Sequence, residues 1–301
     1  MASAQSIGGV SGHTTTRGNQ VIGRKAAVIG LALLSALFFT ALAAQSASAA
    51  FVKAKNTTAF TCVKGGGKKD FKDPHCDEKV EINTGEYGHV AIPNDETTEI
   101  EVTSKETANK TTEGTSSTLK GTLAGAALEI ICETASTSGA AEKSFIHNVE
   151  TEKGVHTVTG TAAVVFSGCK VIKPLNCTVK NIEVKSLFEG VEKGGPKEDT
   201  MGVQFRGDPE GAAFATITLE GEKCALKGTK FEVKGTAIGT GTPTPNLKHS
   251  GATLKFEPGN EMETLEIGGK VAEFTGTFTT RMAEIEKVKQ NPISLTTTPF
   301  P

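Results

Sequence analysis

Residues 155–166 read Val-His-Thr-Val-Thr-Gly-Thr-Ala-Ala-Val-Val-Phe. Apolar side chains that share one parity in this stretch are Val158, Ala162, Val164 and Phe166. Threonines hold positions of the other parity, and such alternation is the pattern of a β-strand with one buried face and one face in water. The stretch predicts an antiparallel strand, because the buried strands of parallel sheets show continuous apolar runs instead.

The same alternation recurs along the chain, in segments separated by Gly, Pro, Asn or Asp. The inward positions that it predicts include Leu128, Ile130, Cys132, Val203, Phe205, Ile217, Leu219, Phe231, Val233, Leu254, Phe256, Phe274 and Phe278. Stretches with a helical period are scarce. We therefore predict an all-β fold, an antiparallel sandwich or partly closed barrel, with a small N-terminal disulfide-closed element.

The first 49 residues have the composition of an export signal. They contain no Asp or Glu, and Arg17, Arg24 and Lys25 precede an apolar run from Ala26 to Ala44. The small residues Ala47-Ser48-Ala49 then form a signal peptidase site, with Ser48-Ala49-Ala50 as the competing site. We predict cleavage here. An uncleaved membrane anchor is the alternative, since about 20 apolar residues span a bilayer.

The charge balance changes when this leader is removed. The whole chain has 32 Lys and Arg against 34 Asp and Glu, and the leader holds three of the basic residues and none of the acidic ones. Residues 50–301 therefore carry 29 basic and 34 acidic side chains, a formal charge of -5. An acidic chain lacks the clustered basic surface that binds a phosphate backbone, so no nucleic-acid partner is expected.

Composition divides the chain into four parts. Residues 1–49 are the predicted signal peptide, and residues 50–93 are the small N-terminal disulfide-closed element. Residues 94–117, rich in Thr, Glu, Lys and Asn, are predicted to be a linker or an exposed hairpin. Residues 118–301 form the main β domain.

Six cysteines follow the predicted cleavage site: Cys62, Cys76, Cys132, Cys169, Cys177 and Cys224. An even number of cysteines in an exported chain favours disulfides over metal or redox chemistry. Spacing ranks the possible pairs without deciding between them. It favours Cys62 with Cys76 across a glycine-rich segment and Cys169 with Cys177 across a hairpin loop, which leaves Cys132 for Cys224.

Metal binding is the alternative role for the N-terminal cysteines. Cys62, His75, Cys76 and His89 supply zinc-ligand types, but the closely spaced ligand pair of zinc sites is missing. Asp73, His75 and Asp77 alternate like calcium ligands, without the glycine and bidentate glutamate of a calcium loop. We expect no metal and no cofactor.

The chain contains no Gly-x-Ser-x-Gly elbow, no His-Glu-x-x-His, no phosphate loop that ends in Gly-Lys-Ser/Thr and no Gly-x-Gly-x-x-Gly after a strand. A serine hydrolase could pair His147 or His156 with Ser144 or Ser167, but spacing cannot establish such a triad. The absence of Trp and the single Tyr argue against a sugar cleft, which commonly stacks rings on aromatic side chains. We expect no catalytic residues.

Three segments carry a resemblance to known proteins. They are Ser117-Thr-Leu-Lys-Gly-Thr-Leu-Ala-Gly-Ala-Ala-Leu-Glu-Ile-Ile-Cys132, then Val164-Val-Phe-Ser-Gly-Cys169 with Cys177-Thr-Val, and the N-terminal element from Phe60-Thr-Cys62 through Phe71-Lys-Asp-Pro-His-Cys76 to Tyr87-Gly-His-Val90. They resemble segments of uncharacterised secreted all-β proteins from high-GC soil actinobacteria, which have no assigned activity. The resemblance implies a bacterial origin, export and a β fold, and it implies no catalytic residue.

These observations favour an exported, non-enzymatic binding or structural protein of the cell envelope or extracellular space, with a possible cell-surface or extracellular partner. A membrane is expected as a partner only through an uncleaved leader. Two alternatives remain open at this point. One is a secreted hydrolase with an unrecognised site. The other is a small-ligand carrier of the β-barrel type, which predicts an apolar cavity.

Overall fold

The alternating segments form strands. A computed structural model describes residues 51–53, 57–74, 76–94, 98–104, 116–153, 155–193, 201–241, 252–259, 263–283 and 293–296. All of them belong to one compact unit, Ala49–Pro301. The predicted leader lies outside the described residues.

Twenty strands lie within the described residues: β1 (Phe51–Lys53), β2 (Thr58–Lys64), β3 (Tyr87–Ala91), β4 (Thr98–Ser104), β5 (Ser117–Leu123), β6 (Ala126–Cys132), β7 (Thr134–Ser136), β8 (Ser144–Glu152), β9 (Val155–Ser167), β10 (Lys170–Lys173), β11 (Ile182–Lys193), β12 (Met201–Gly207), β13 (Ala215–Thr218), β14 (Lys230–Lys234), β15 (Thr236–Gly241), β16 (Ala252–Phe256), β17 (Glu266–Ile267), β18 (Lys270–Val271), β19 (Glu273–Met282) and β20 (Ile293–Thr296). The same residues contain no helix, and therefore none long and apolar enough to cross a lipid bilayer. The prediction of an all-β fold is confirmed.

Eight of these strands close into a barrel. In chain order they are β4, β8, β9, β11, β12, β15, β16 and β19, and each pairs antiparallel with the next. The last strand then pairs with the first, with Phe278 opposite Ser104 and Met282 opposite Ile100. The result is a closed up-and-down barrel. Closure removes the exposed strand edges that an open sheet would leave.

Side chains on the outer face reinforce the seam between β19 and β4. On the outer face the hydroxyls of Thr103 and Thr279 lie 3.1 Å apart, and Arg281 Nε donates to Glu101 Oε2 at 2.8 Å. Residues 94–117 were expected to be a linker or exposed hairpin, but they contain this barrel strand. β4 itself is polar because only every second side chain, Ile100 and Val102 among them, faces the lumen.

Extra strands extend the barrel at one end. The beginning of β19 pairs with β5, which continues to β6 and β10, while the rest of β19 pairs with β4. In the same way, β9 pairs with β8 along most of its length and with β7 near its end. Gly160 lets the neighbouring strands β8 and β11 approach β9 closely. A Cβ at this position would collide with the carbonyl oxygen of Phe145 on β8 and with the ring of Phe188 on β11.

Two small sheets cover the ends of the barrel. The first cap consists of β20, β2 and β3, and lies where β9 begins: Thr57 N donates to His156 O at 2.7 Å, and Val158 N donates to Thr57 Oγ1 at 3.0 Å. The expected N-terminal disulfide-closed element is present in this cap, and a C-terminal strand completes its sheet.

The second cap consists of β13, β14, β17 and β18. It is built from the connections between β12 and β15 and between β16 and β19, all of which leave the barrel at the end where β9 finishes. The amide of Lys185 in β11 donates to the carbonyl of Phe214 at 3.0 Å, which attaches this cap to the barrel wall. The two caps therefore lie at opposite ends.

A candidate ligand site in the barrel lumen

The barrel encloses a cavity of about 170 Å³. Each barrel strand contributes at least one lining side chain, for example Ile100, Ile146, Val158, Val184, Val203, Ala237, Leu254 and Phe278. These positions have the inward parity that the sequence predicts for several of the strands. The side-chain period of two therefore produces a continuous apolar inner surface.

Both caps contribute to the lining. Ile293 and Leu295 of the first cap face the cavity from one end, and Phe214, Ile217 and Leu265 of the second cap region face it from the other. All five side chains are buried. The cavity is therefore an interior space of the barrel, bounded by apolar side chains along its wall and at both ends.

A cluster of phenylalanine rings forms part of the wall. The Phe256 centroid lies 5.3 Å from that of Phe274 and 5.4 Å from that of Phe278, with interplanar angles of 69° and 83°. Phe166 meets the same two rings edge to face at 5.9 and 6.0 Å. Phe205 extends the cluster, with its centroid 5.5 Å from Phe256. Edge-to-face geometry of this kind is favourable between aromatic rings.

Three hydroxyl side chains also line the cavity: Ser117, Ser186 and Thr280. Ser186 is already engaged, because its Oγ donates to the carbonyl oxygen of Ala162 at 3.2 Å. The side-chain hydroxyls of Ser117 and Thr280 make no hydrogen bond to another described residue, although both residues are buried. Two hydroxyls in an otherwise apolar lumen are thus available to a bound molecule.

The lining contains no charged side chain and no histidine within the described part of the chain. Ser144, a candidate nucleophile, is buried with its Oγ accepting from Ala163 N at 2.9 Å and donating to Ala163 O at 3.3 Å. His147 and His156 lie on β8 and β9 outside the lining. The structure does not bring the proposed hydrolase residues together at the cavity.

All six predicted disulfide cysteines are paired, but two of the three expected pairs were wrong. Cys62 is bonded to Cys76 as predicted, whereas Cys132 is bonded to Cys169 and Cys177 to Cys224. Lys170 of β10 pairs with Ile131 of β6, which places the preceding Cys169 opposite Cys132 with their Cα atoms 3.9 Å apart. Pairing of Thr178 with Glu220 brings the other two cysteines together.

The disulfides exclude the N-terminal zinc site, because Cys62 and Cys76 have no free thiolate. His75 lies outside the described residues. Elsewhere in the described ranges, no group of three or more His, Cys, Asp or Glu side chains could hold a metal ion. Three disulfides are consistent with an extracellular or otherwise oxidising environment.

One carboxyl with a perturbed pKa lies close to the second cap, and no sequence motif marks it. Burial, with the negative charge of Glu273 as the lesser cause, raises the pKa of Glu263 to about 7. Glu263 precedes the lining residue Leu265 by two positions. A pair of acidic residues ten positions apart gives no sequence signal, because only the fold brings them near each other.

Fold and site together define a closed up-and-down β-barrel with an apolar, doubly capped lumen. No family model, curated protein or solved structure matches this chain. The resemblance to secreted actinobacterial proteins therefore stays a prediction.

Proposed function

We propose that this chain is a secreted, non-enzymatic binding protein that holds a small apolar molecule in the lumen of its barrel. The observation that carries the proposal is the cavity of about 170 Å³, whose lining is apolar along the wall and at both ends. Small-ligand sites in proteins are typically concave, mostly apolar and already formed before binding.

The energetics of the cavity support a bound molecule. Unfilled space in a protein interior costs roughly 24 cal/mol per Å³, so a cavity of about 170 Å³ would cost about 4 kcal/mol if it stayed empty. A ligand that fits the lumen recovers contacts with its lining. An engineered cavity of about 150 Å³ lined by Leu, Ile and Phe stays dry and binds benzene or xenon, which sets the size of molecule expected here.

Secretion is supported by the three disulfides and by the export-signal composition of residues 1–49. A binding role is favoured over hydrolysis because the described lining offers neither a general base nor a carboxylate at the cavity. Turnover of an ester or amide substrate that is lost on mutation of one lining residue would contradict the non-enzymatic part of the proposal.

The binding test uses the whole disulfide-bonded chain and p-xylene, a neutral apolar probe of suitable size. Binding is measured by calorimetry and by the rise in unfolding temperature, since a ligand that binds only the folded state stabilises it. Ala162 lies in the lumen wall, and Thr161 is its neighbour on the outer face of β9. Ala162→Leu should weaken binding at least about tenfold because it fills part of the cavity.

Thr161→Leu is the matched control, because it adds bulk to the same strand outside the lumen. It should leave the affinity for p-xylene unchanged. If the folded chain binds no neutral apolar probe, or if both variants weaken binding equally, the lumen is not the site.

A further inference from the structure

On the basis of the proposed function, we infer that the lumen selects an uncharged molecule of one or two rings with a single polar group such as a hydroxyl, and that one of the two available hydroxyls, Ser117 or Thr280, binds that group. The inference rests on three features of the lining: its aromatic cluster, its two available hydroxyls and its lack of charge. Each of them narrows the class of ligand.

The aromatic cluster favours a ring over a flexible chain. Phe166, Phe256, Phe274 and Phe278 meet mainly edge to face, with centroids 5.3 to 6.0 Å apart. Phe274 and Phe278 are nearly parallel to each other, at 17° and 6.1 Å, and both belong to β19. A flat ligand can join this cluster through its face or its edge, as aromatic pairs do.

The two hydroxyls lie next to the rings. A Cβ placed on Gly276 would lie 2.9 Å from the Phe278 ring and 3.1 Å from Ser117 Oγ, so the ring and the hydroxyl flank the same point. Thr280 follows Phe278 by two residues on β19 and also lines the cavity. Serine and threonine hydroxyls can donate or accept, so either can pair with a ligand hydroxyl.

The absence of charge in the described lining excludes ionised ligands. A carboxylate or ammonium group in the lumen would lose its hydration without gaining a counter-ion, which is a large cost in an apolar interior. A fatty acid with its carboxylate inside the cavity is therefore disfavoured by its charge.

The test compares four probes on the intact chain: p-xylene, p-cresol, p-toluate and octanoate. The first two have almost the same shape, so the ratio of their affinities isolates the effect of the hydroxyl. Ser117→Ala combined with Thr280→Val removes both available hydroxyls with little change of volume, and each single variant shows which hydroxyl is used. Ser186→Ala is the matched control, because that hydroxyl is bonded to Ala162.

The preference for p-cresol relative to p-xylene should fall roughly two- to tenfold in the double variant, which is the usual effect of one hydrogen bond. Ser186→Ala should leave the ratio unchanged, and p-toluate should bind at least about 100-fold more weakly than p-cresol. If p-xylene binds but the ratio does not change in the double variant, or if octanoate binds best, this inference fails and the proposed function stands. Failure of all four probes to bind contradicts the proposed function itself.

Discussion

The side-chain amide of Asn148 forms hydrogen bonds with both backbone polar groups of Ala59. Ala59 N donates to Asn148 Oδ1 at 2.8 Å, and Asn148 Nδ2 donates to Ala59 O at 3.0 Å. The same nitrogen donates to Ile92 O at 2.6 Å. Asn148 lies on the barrel strand β8, whereas Ala59 belongs to β2, so one fully buried side chain joins the first cap to the barrel as a neighbouring strand would.

Asn148→Ala should therefore destabilise the protein by about 3–5 kcal/mol. The substitution removes the Asn148 partners of the Ala59 amide and the Ile92 carbonyl, and each buried group left unpaired costs about 1–3 kcal/mol, whereas the Ala59 carbonyl still accepts from Ile92 N. Urea unfolding of the oxidised chain measures the difference. Asn94→Ala, at an exposed asparagine near the same cap, should change stability by less than about 0.5 kcal/mol. Equal losses from the two substitutions would show that the Asn148 network does not secure the cap.

His89 should make the stability of the first cap sensitive to acid. Its ring packs between Phe60 and Phe71, with centroid distances of 5.0 and 4.7 Å, and its buried Nε2 has no hydrogen-bond partner among the described residues. Burial lowers the pKa of His89, an effect that the Asp70 carboxylate opposes and the Lys79 ammonium reinforces.

The unfolded chain consequently binds this proton more tightly than the folded chain. The free energy of unfolding should be unaffected by His89 above pH 6.5 and should fall as the pH decreases below that value. His89→Leu should flatten this part of the pH profile in urea unfolding at pH 8, 7, 6 and 5.5. His147→Gln, at a histidine outside the first cap, should leave the contribution of His89 intact. If the free energy of unfolding falls more steeply with acid in His89→Leu than in the unmodified chain, His89 is not the source of the acid sensitivity.

Glu263 should make the free energy of unfolding depend on pH in the direction opposite to His89. Its folded-state pKa of about 7 exceeds the ordinary value of 4.5, so the folded state holds the proton more tightly and loses stability as the pH rises from 4.5 to 7. Glu263→Gln should therefore stabilise the protein by about 1–2 kcal/mol at pH 8, after allowance for solvent screening, and very little at pH 4. Glu273→Gln should give a smaller effect of the same sign. If Glu263→Gln stabilises the protein equally at pH 4 and pH 8, the effect does not come from ionisation of Glu263.

The disulfide pattern gives a prediction that needs no mutation. Non-reducing peptide mapping should find linked peptides containing Cys132 with Cys169 and Cys177 with Cys224, and full reduction should add six hydrogens to the mass. In the chain-entropy model, removal of either of these bonds costs about 4 kcal/mol, against about 3 kcal/mol for the shorter Cys62–Cys76 loop. Free thiols in the protein purified without a reducing agent would contradict the pattern.

Strand positions could be predicted from the sequence because a half-buried strand imposes a period of two on its own residues. Val203 and Phe205, or Leu254 and Phe256, reveal their inner face without knowledge of any partner. The pairing of β19 with β4 could not be predicted in this way. It joins residues such as Thr103 and Thr279, 176 positions apart, and β4 lies within a region whose overall composition resembles a linker.

The candidate site was only partly predictable for the same reason. Inward parity identified most phenylalanines of the lumen, although not Phe188 or Phe214. A cavity also depends on how far opposite walls stand apart and on whether both ends are covered. The available hydroxyls of Ser117 and Thr280 also gave no signal, because polar residues at inward positions are common in strands. The wrong cysteine pairs followed from an assumed hairpin, whereas β10 pairs with the distant β6.

The order of the strands has a consequence for how the lumen forms during folding. The seam between β4 and β19 spans about 180 positions, and the first cap requires β20, near the C-terminus, to pair with β2. Contacts of such high contact order form slowly, because the loop-closure entropy is lost before the contacts are gained. The nascent chain therefore cannot complete the barrel until β19 has emerged, and its inner phenylalanines remain a hazard for aggregation until then.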